Sequence, residues 1–557
     1  MAELAAASVL VIDANPGMRA QLRAMLASFG VSQVQFATNA GSAIKRLKER
    51  RFDIVLCEYN LDDGQDGQHL LEDLRSHDII PLDTLFVMVT GERNYERVVS
   101  TAELTPDDYI LKPLAAHALH YRLQKVLDRR EVFLPAYRLM AMGNPMGAAE
   151  ILHEAEASHP QYRSELLRKQ AELLIDMGRL DDAETAYRAA LTLGSLPWAQ
   201  FGLARTLMLK KHYEAAEDIL CALVAEHELY IGAYDLLAQC RELRGHSGAA
   251  LETLNDAVRR SPHRLHRLRN SATLALQLGQ PDAAAEALGA LIEKSRYSEF
   301  RDPEDHVRLV QAQLGQGKPE AARETIRDME RSLGARRKTQ ICAALCRNLY
   351  YTAAAQPEEA RSALVDAIAT GADTTELSPA LKQDLFKACF DNDLESEGCE
   401  LVLDVLRNAA DDGTVESTRA ALHSRGLETL AEELETRTRE EVRKLIVTGA
   451  EKAKSGDFDG AVVEMMNAAR RMPGNPHVLF NAALALLRHI EHRGWNERFA
   501  TQAGALITRA RRADPASPRL AAISEFMHAL FKKHDKLRQR GTGSMRAAAG
   551  LKDFFSA

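Results

Sequence analysis

Aromatic residues are scarce in this chain, at 6% of 557 residues, and no apolar run reaches the roughly 18 residues a membrane helix needs. No basic-then-apolar leader opens it, so a cytoplasmic location without membrane association is expected. Cysteine is sparse and scattered. Cys57, Cys221, Cys240, Cys342, Cys346, Cys389 and Cys399 form no Cys-x-x-Cys pair, which argues against a disulfide framework or a zinc site and for reduced core thiols. Positive charge is not in excess either. The formal net charge of −8 gives no general reason to expect nucleic acid as a partner. A local exception runs from Arg488 to Arg546, with 13 Lys/Arg against 5 Asp/Glu. Without interleaved aromatics, that stretch does not resemble a nucleic-acid-binding face.

The chain does have 46% hydrophobic and 27% charged residues. It is rich in Ala, Leu, Arg and Glu, the composition of a mostly helical protein. Its length implies roughly three or more domains. Residues 8–130 alternate apolar runs with amphipathic stretches. Strands are expected at Ser8–Ile12, Gln33–Ala37, Ile54–Glu58, Thr84–Thr90 and Tyr109–Leu111, and helices beginning near Pro16, Asn39, Gly67, Arg93 and Ala115. Val/Ile/Leu-rich strands between helices predict an α/β doubly wound parallel five-stranded sheet, whose site forms at the carboxyl ends of the strands. Asp13, Glu58, Thr90 and Lys112 each fall at such an end.

The order of two strand-end acids, a strand-end Thr and Lys112-Pro113 resembles the receiver domain of bacterial two-component response regulators, over roughly the first 125 residues. The resemblance implies that Glu58 stands at the phosphoacceptor position, normally an aspartate. It also implies that Asp13, Glu58 and the Asn60 carbonyl face a magnesium ion, that Thr90 and Tyr109 are switch residues, and that Lys112 binds the phosphoryl group. Two departures weaken magnesium binding: Ala14 replaces the usual second acid, and Glu58 replaces the acceptor. The loop Asn60–Gly67 is long, with three extra acids that read as a solvated turn or as substitute metal ligands. Glu58 itself has three readings. Its longer side chain mimics a phosphoryl charge, or it blocks transfer, or it is a replacement introduced to lock the domain.

The remainder is periodic. Gly-x-x-x-x-Ala, with a second small residue seven positions on, recurs at Gly178…Ala183…Ala190 and Gly245…Ala250…Ala257, with related starts at Gly143, Lys211, Gly279 and Gly317. Successive starts differ by 35, 33, 34, 34 and 38 residues, which resembles the tetratricopeptide repeat of two antiparallel helices. Weaker copies begin at Ala355 and near Asn392, and a clear one returns at Gly456. The expected division is a receiver-like domain over 1–130, a repeat array over 131–410, a charged helical connector or hinge over 411–440, further repeats and a capping helix over 441–538, and a flexible tail over 539–557. Such arrays stack into an all-α superhelix whose concave face takes protein partners. The resemblance implies a histidine kinase as input, autodephosphorylation as the only enzyme-like activity, and protein binding as output, with the Thr90–Tyr109 side of the receiver meeting the array or a second receiver in a homodimer. A constitutive adaptor with an unswitchable receiver used for docking or dimerisation is the alternative, and a nucleic-acid-binding regulator working through the basic C-terminal region is a more distant one.

Overall fold

A computed structural model describes residues 4–61, 65–91, 106–262, 264–334, 336–368 and 376–534. Five strands, β1 (Ser8–Ile12), β2 (Gln33–Ala37), β3 (Ile54–Cys57), β4 (Leu85–Thr90) and β5 (Asp108–Leu111), form one sheet in the order β2-β1-β3-β4-β5. Every pairing is parallel. The three central strands are buried along their whole length, as a sheet covered on both faces requires. Successive side chains feed two cores. Leu10, Ile12, Val55, Cys57, Phe86 and Met88 face one side, and Val9, Val11, Ile54, Leu56, Val87 and Val89 the other.

The helices begin where local chemistry caps them. Helix α1 (Pro16–Ser28) starts with Asn15 accepting from Gly17 N and Met18 N, and Pro16 at its first turn. Helix α2 (Ala40–Glu49) has a reciprocal Asn39–Ser42 box, and α3 (Gly67–Ser76) is capped by Asp66. The expected helix near Arg93 lies outside the described residues. The last helix of this domain, Ala116–Ala141, runs on past residue 130.

Beyond it the chain is helical throughout the described residues. Each repeat turns between its two helices through one residue with positive φ: Gly178 (72°), Gly245 (81°), Gly279 (67°) and Gly317 (69°), but also Lys211 (64°), Ala355 (56°) and Asp393 (56°). The next amide then bonds back across the helix end, as in Arg179 N to Leu174 O (2.9 Å) and Gln356 N to Tyr351 O (2.9 Å). This is the Schellman closure, and it satisfies carbonyls the helix leaves open. Five residues on, the small residue of the motif is buried to 1% exposure or less, as at Ala183, Ala250, Ala284 and Ala360.

The segment 411–440, expected as a connector or hinge, is built in the same way. Helices Asp412–His423 and Glu428–Lys454 meet at Gly426 (φ 72°), Leu427 N bonds Leu422 O at 3.1 Å, and Ala431 is buried. The second of these helices runs through residue 440 into the next repeat. The capping helix is Arg519–Lys533, and the tail 539–557 lies outside the described residues. No helix among the described residues is long and apolar enough to cross a membrane. All seven cysteines are free and five are buried.

The chain divides into two compact units that do not follow chain order. One comprises Met1–Leu134, Ser195–Met208 and His212–Ala367; the other comprises Pro135–Gly194, Leu209–Lys211 and Ile368–Ala557.

Candidate functional site

Parallel pairing in register aligns the strand ends, so Asp13, Glu58, Thr90 and Lys112 come out at one edge of the sheet. Lys112 joins them. Its backbone amide donates to the Thr90 carbonyl at 2.8 Å, and its Nζ donates to Asp13 Oδ2 at 3.0 Å and to Glu58 Oε2. Glu58 Oε1 accepts from the Tyr59 amide at 2.6 Å, and Asp13 Oδ1 from the Asn15 amide at 2.8 Å. Side-chain exposures of 4% for Asp13, 12% for Glu58 and 16% for Lys112 place this triad largely out of water. Burial alone would lower the pKa of Lys112. Its hydrogen bonds to Glu58 and Asp13, and their charges, outweigh that and hold it above the ordinary value. The peptide bond Lys112-Pro113 is cis.

Thr90 is fully buried, and Tyr109 is half-buried against the core on the α3 side of the sheet. Asn60 is exposed. Of the three loop acids, Asp62 and Asp63 lie outside the described residues. Asp66 Oδ1 accepts from the His69 amide at 2.8 Å as the cap of α3.

Three groups at this site were given no role in it by the sequence. Arg19, one turn into α1, donates from Nη1 to the carbonyls of Asp13 and Ala14 at 2.6 and 2.7 Å, so a guanidinium lies beside the position of the missing second acid. Gly67 starts α3 hard against β3. A Cβ there would collide with the Glu58 carbonyl oxygen and stand 3.1 Å from Cys57 Sγ. Burial pushes the Cys57 thiol far up, with Glu58, Asp66 and Asp13 adding to the effect, so it is not a thiolate.

Among the described residues, no group of three or more His, Cys, Asp or Glu side chains is placed to hold a metal ion. The donors present are two carboxylates that share one ammonium, with an arginine alongside. That set does not fit a divalent cation unless Lys112 is displaced.

The family of response regulator receiver domains matches residues 9–124. This part of the chain is a receiver domain. Tetratricopeptide repeats match residues 168–231 and 269–333, so a receiver is followed by repeats. The receiver is similar to the chemotaxis protein CheY-3 of Vibrio cholerae, 28% identical over 121 residues that cover 22% of this chain and 92% of that protein. The chemotaxis protein CheY of Pseudomonas aeruginosa is 24% identical, covering 22% of this chain and 96% of its own. Among solved structures, a CheY-like receiver domain protein from Methanospirillum hungatei is 25% identical, covers 22% of this chain and 96% of its own, and has a TM-score of 0.21. A tetratricopeptide repeat protein from Parabacteroides merdae is 17% identical, covers 46% and 96%, and has a TM-score of 0.29.

Within the first unit the receiver packs on the repeats, through α2 and α3 in the described residues. The expected contact through the Thr90–Tyr109 side falls partly on residues 92–105, which are outside the described residues. Phe300, in the turn between helices Pro281–Ser295 and Pro303–Gly315, packs against the receiver core. The His77 ring stacks on it at 3.9 Å with planes 22° apart. Ser298 Oγ donates to Asp73 Oδ2 at 2.7 Å, and exposed Lys48 meets Glu299 at 3.0 Å. Glu72 lies near Arg264, where helix Leu265–Gln277 begins. Burial raises its pKa against the pull of that arginine.

Proposed function

We propose that the chain is a response regulator of the phosphorelay type whose output is protein binding by the repeats, and that Glu58 holds its receiver in one state. The ion pair of Glu58 with Lys112, shared with Asp13, carries this reading. A carboxylate sits against the ammonium that the receiver family reserves for phosphoryl oxygens. It imitates a phosphoryl group with less charge and fewer acceptors. Asp13, Glu58 and the Asn60 carbonyl remain the metal-facing groups, and magnesium binds weakly because it competes with Lys112 and Arg19. Thr90 and Tyr109 respond to charge at Glu58. The protein is not an enzyme, and its partners are a histidine kinase on the input side and proteins in the repeat groove on the output side.

The adaptor reading, in which the receiver only docks, is favoured by one observation: Arg19 occupies the carbonyls at Ala14, where a second metal-binding acid would stand. Glu58→Asp separates the two. Treated with acetyl phosphate and magnesium, the switch reading expects one added phosphoryl group by intact mass and altered hydrogen exchange around Lys112. An unchanged mass and unchanged exchange would leave the adaptor.

A further inference from the structure

We infer that α3 carries the state of the Glu58 pocket to the repeat array, with Asp73 as the shared contact. The inference rests on the reading of Glu58 as an occupied phosphoryl position, and adds the route by which that occupancy is felt. At its first residue α3 is fixed to the pocket. Gly67 N donates to the Tyr59 carbonyl at 2.6 Å, and Gly67 has no room for a side chain beside the Glu58 carbonyl. Tyr59 is also the residue whose amide holds Glu58 Oε1. A displacement of the Glu58 carboxylate therefore acts on the strand end that α3 abuts.

Two turns along, Asp73 accepts at one oxygen from two directions. Gln65 Nε2, from the loop leading out of the pocket, donates at 2.6 Å, and Ser298 Oγ, from the array, donates at 2.7 Å. Both donors are buried, at 1% and 5% exposure. Burial raises the Asp73 pKa, and these two hydrogen bonds are the largest opposing influences. Losing either donor leaves a buried acceptor under-satisfied, so the loop and the array compete for, and depend on, one carboxylate.

The neighbouring residue reaches the preceding repeat. Glu72 faces the start of helix Leu265–Gln277, where the Arg264 charge and the Leu265 backbone favour its ionised form against burial. Adjacent residues of one receiver helix thus face Arg264 at the start of one repeat helix and Ser298 in the next inter-repeat turn, and Phe300 of that turn packs against the receiver core. Tilting α3 changes both contacts together. Packed side chains and hydrogen bonds with two discrete arrangements are the physical means by which such coupling travels.

Hydrogen exchange on the full chain tests this. Glu58→Gln removes the pocket charge with little change in shape. Exchange in Gly67–Ser76 and in 296–302 should rise about five-fold or more, the lower range of ordinary coupling between sites. Because coupling is reciprocal, Ser298→Ala should raise exchange at Tyr59 and Gln65, while Lys48→Ala, which removes only an exposed pair, should leave both regions unchanged. Asp73→Asn keeps an acceptor and should give a smaller change of the same pattern. If Glu58→Gln alters exchange around Lys112 but not in 296–302, the route through α3 is wrong and the pocket reading stands. No change in any region would overturn both.

Discussion

At the scale of single residues, Lys112 is the group on which the receiver pocket turns. It pairs with two carboxylates that are mostly out of water, and its removal leaves them without that shared cation. Lys112→Met should therefore destabilise the receiver by about 2 kcal/mol, below the full cost of breaking a buried pair because all three groups keep some exposure. The pH dependence has a definite sign. Its folded-state pKa lies above the ordinary 10.5, so the stabilisation is complete below pH 10.5 and is lost as pH rises through the folded value. Thermal melts of wild type and Lys112→Met at about pH 8 and about pH 11.5 should show a difference at the lower pH that shrinks at the higher. The convergence of Asp13, Glu58, Thr90 and Lys112 was legible because strand ends in a parallel sheet meet at one edge. Arg19 and Gln65 were not. Their roles come from a guanidinium folding back on backbone carbonyls and a side chain crossing a loop, which no spacing in the sequence encodes.

At the scale of the element, the repeat is defined by its inner turn more than by its consensus. Gly279, Gly317, Ala355 and Asp393 follow at intervals of 38 residues, so the copies that look degraded keep the spacing of the turns while changing the turn residue. The glycine signal failed where a side chain occupies the left-handed position, a conformation costing an L-residue about 1–2 kcal/mol. Ala355→Gly should recover part of that cost. With the extra unfolded-state freedom of glycine subtracted, the gain should be about 0.5–1 kcal/mol, read as slower hydrogen exchange in helices Arg337–Ala353 and Pro357–Ile368. The period also appears in side-chain pairs that stitch neighbouring repeats: Arg425 with Asp391 and Arg407 with Glu441 span 34 residues each. Within the charged stretch that suggested a hinge, Arg425 makes one such tie. Strand positions and the starts of α1, α2 and α3 were legible almost to the residue, since buried Val/Ile runs and the breaks between them are local signals.

At the scale of the molecule, the second unit joins parts of the chain that repeat logic keeps apart. Glu150 accepts from Lys532 Nζ at 2.8 Å and lies 3.2 Å from His528 Nε2. Arg511 pairs with Asp176 at 3.0 Å, and Gly143 and Gly504 approach without room for a side chain on either. In a solenoid each repeat ordinarily leans only on its neighbours, whereas here helix Arg519–Lys533 supports the first repeat. Deleting residues 519–557 should open helices Pro145–Ser158 and Arg163–Asp176 to protease at least as readily as Glu497–Ala513, as read by mapping the first cleavage sites. Arg511 and Lys532, in the locally basic stretch, use their charge in these internal contacts, and Arg509 donates to the Pro473 carbonyl at 2.7 Å.

The bond from Asp73 to Ser298 spans 225 residues, and that separation sets a timetable for biosynthesis. At roughly 5–20 residues per second, α3 leaves the ribosome about 10–45 s before its counterpart turn exists. For that interval the α3 face and the site for Phe300 are bare. A nascent chain must therefore keep this apolar patch from misassociating, and the receiver is completed by a segment translated long after its own last strand.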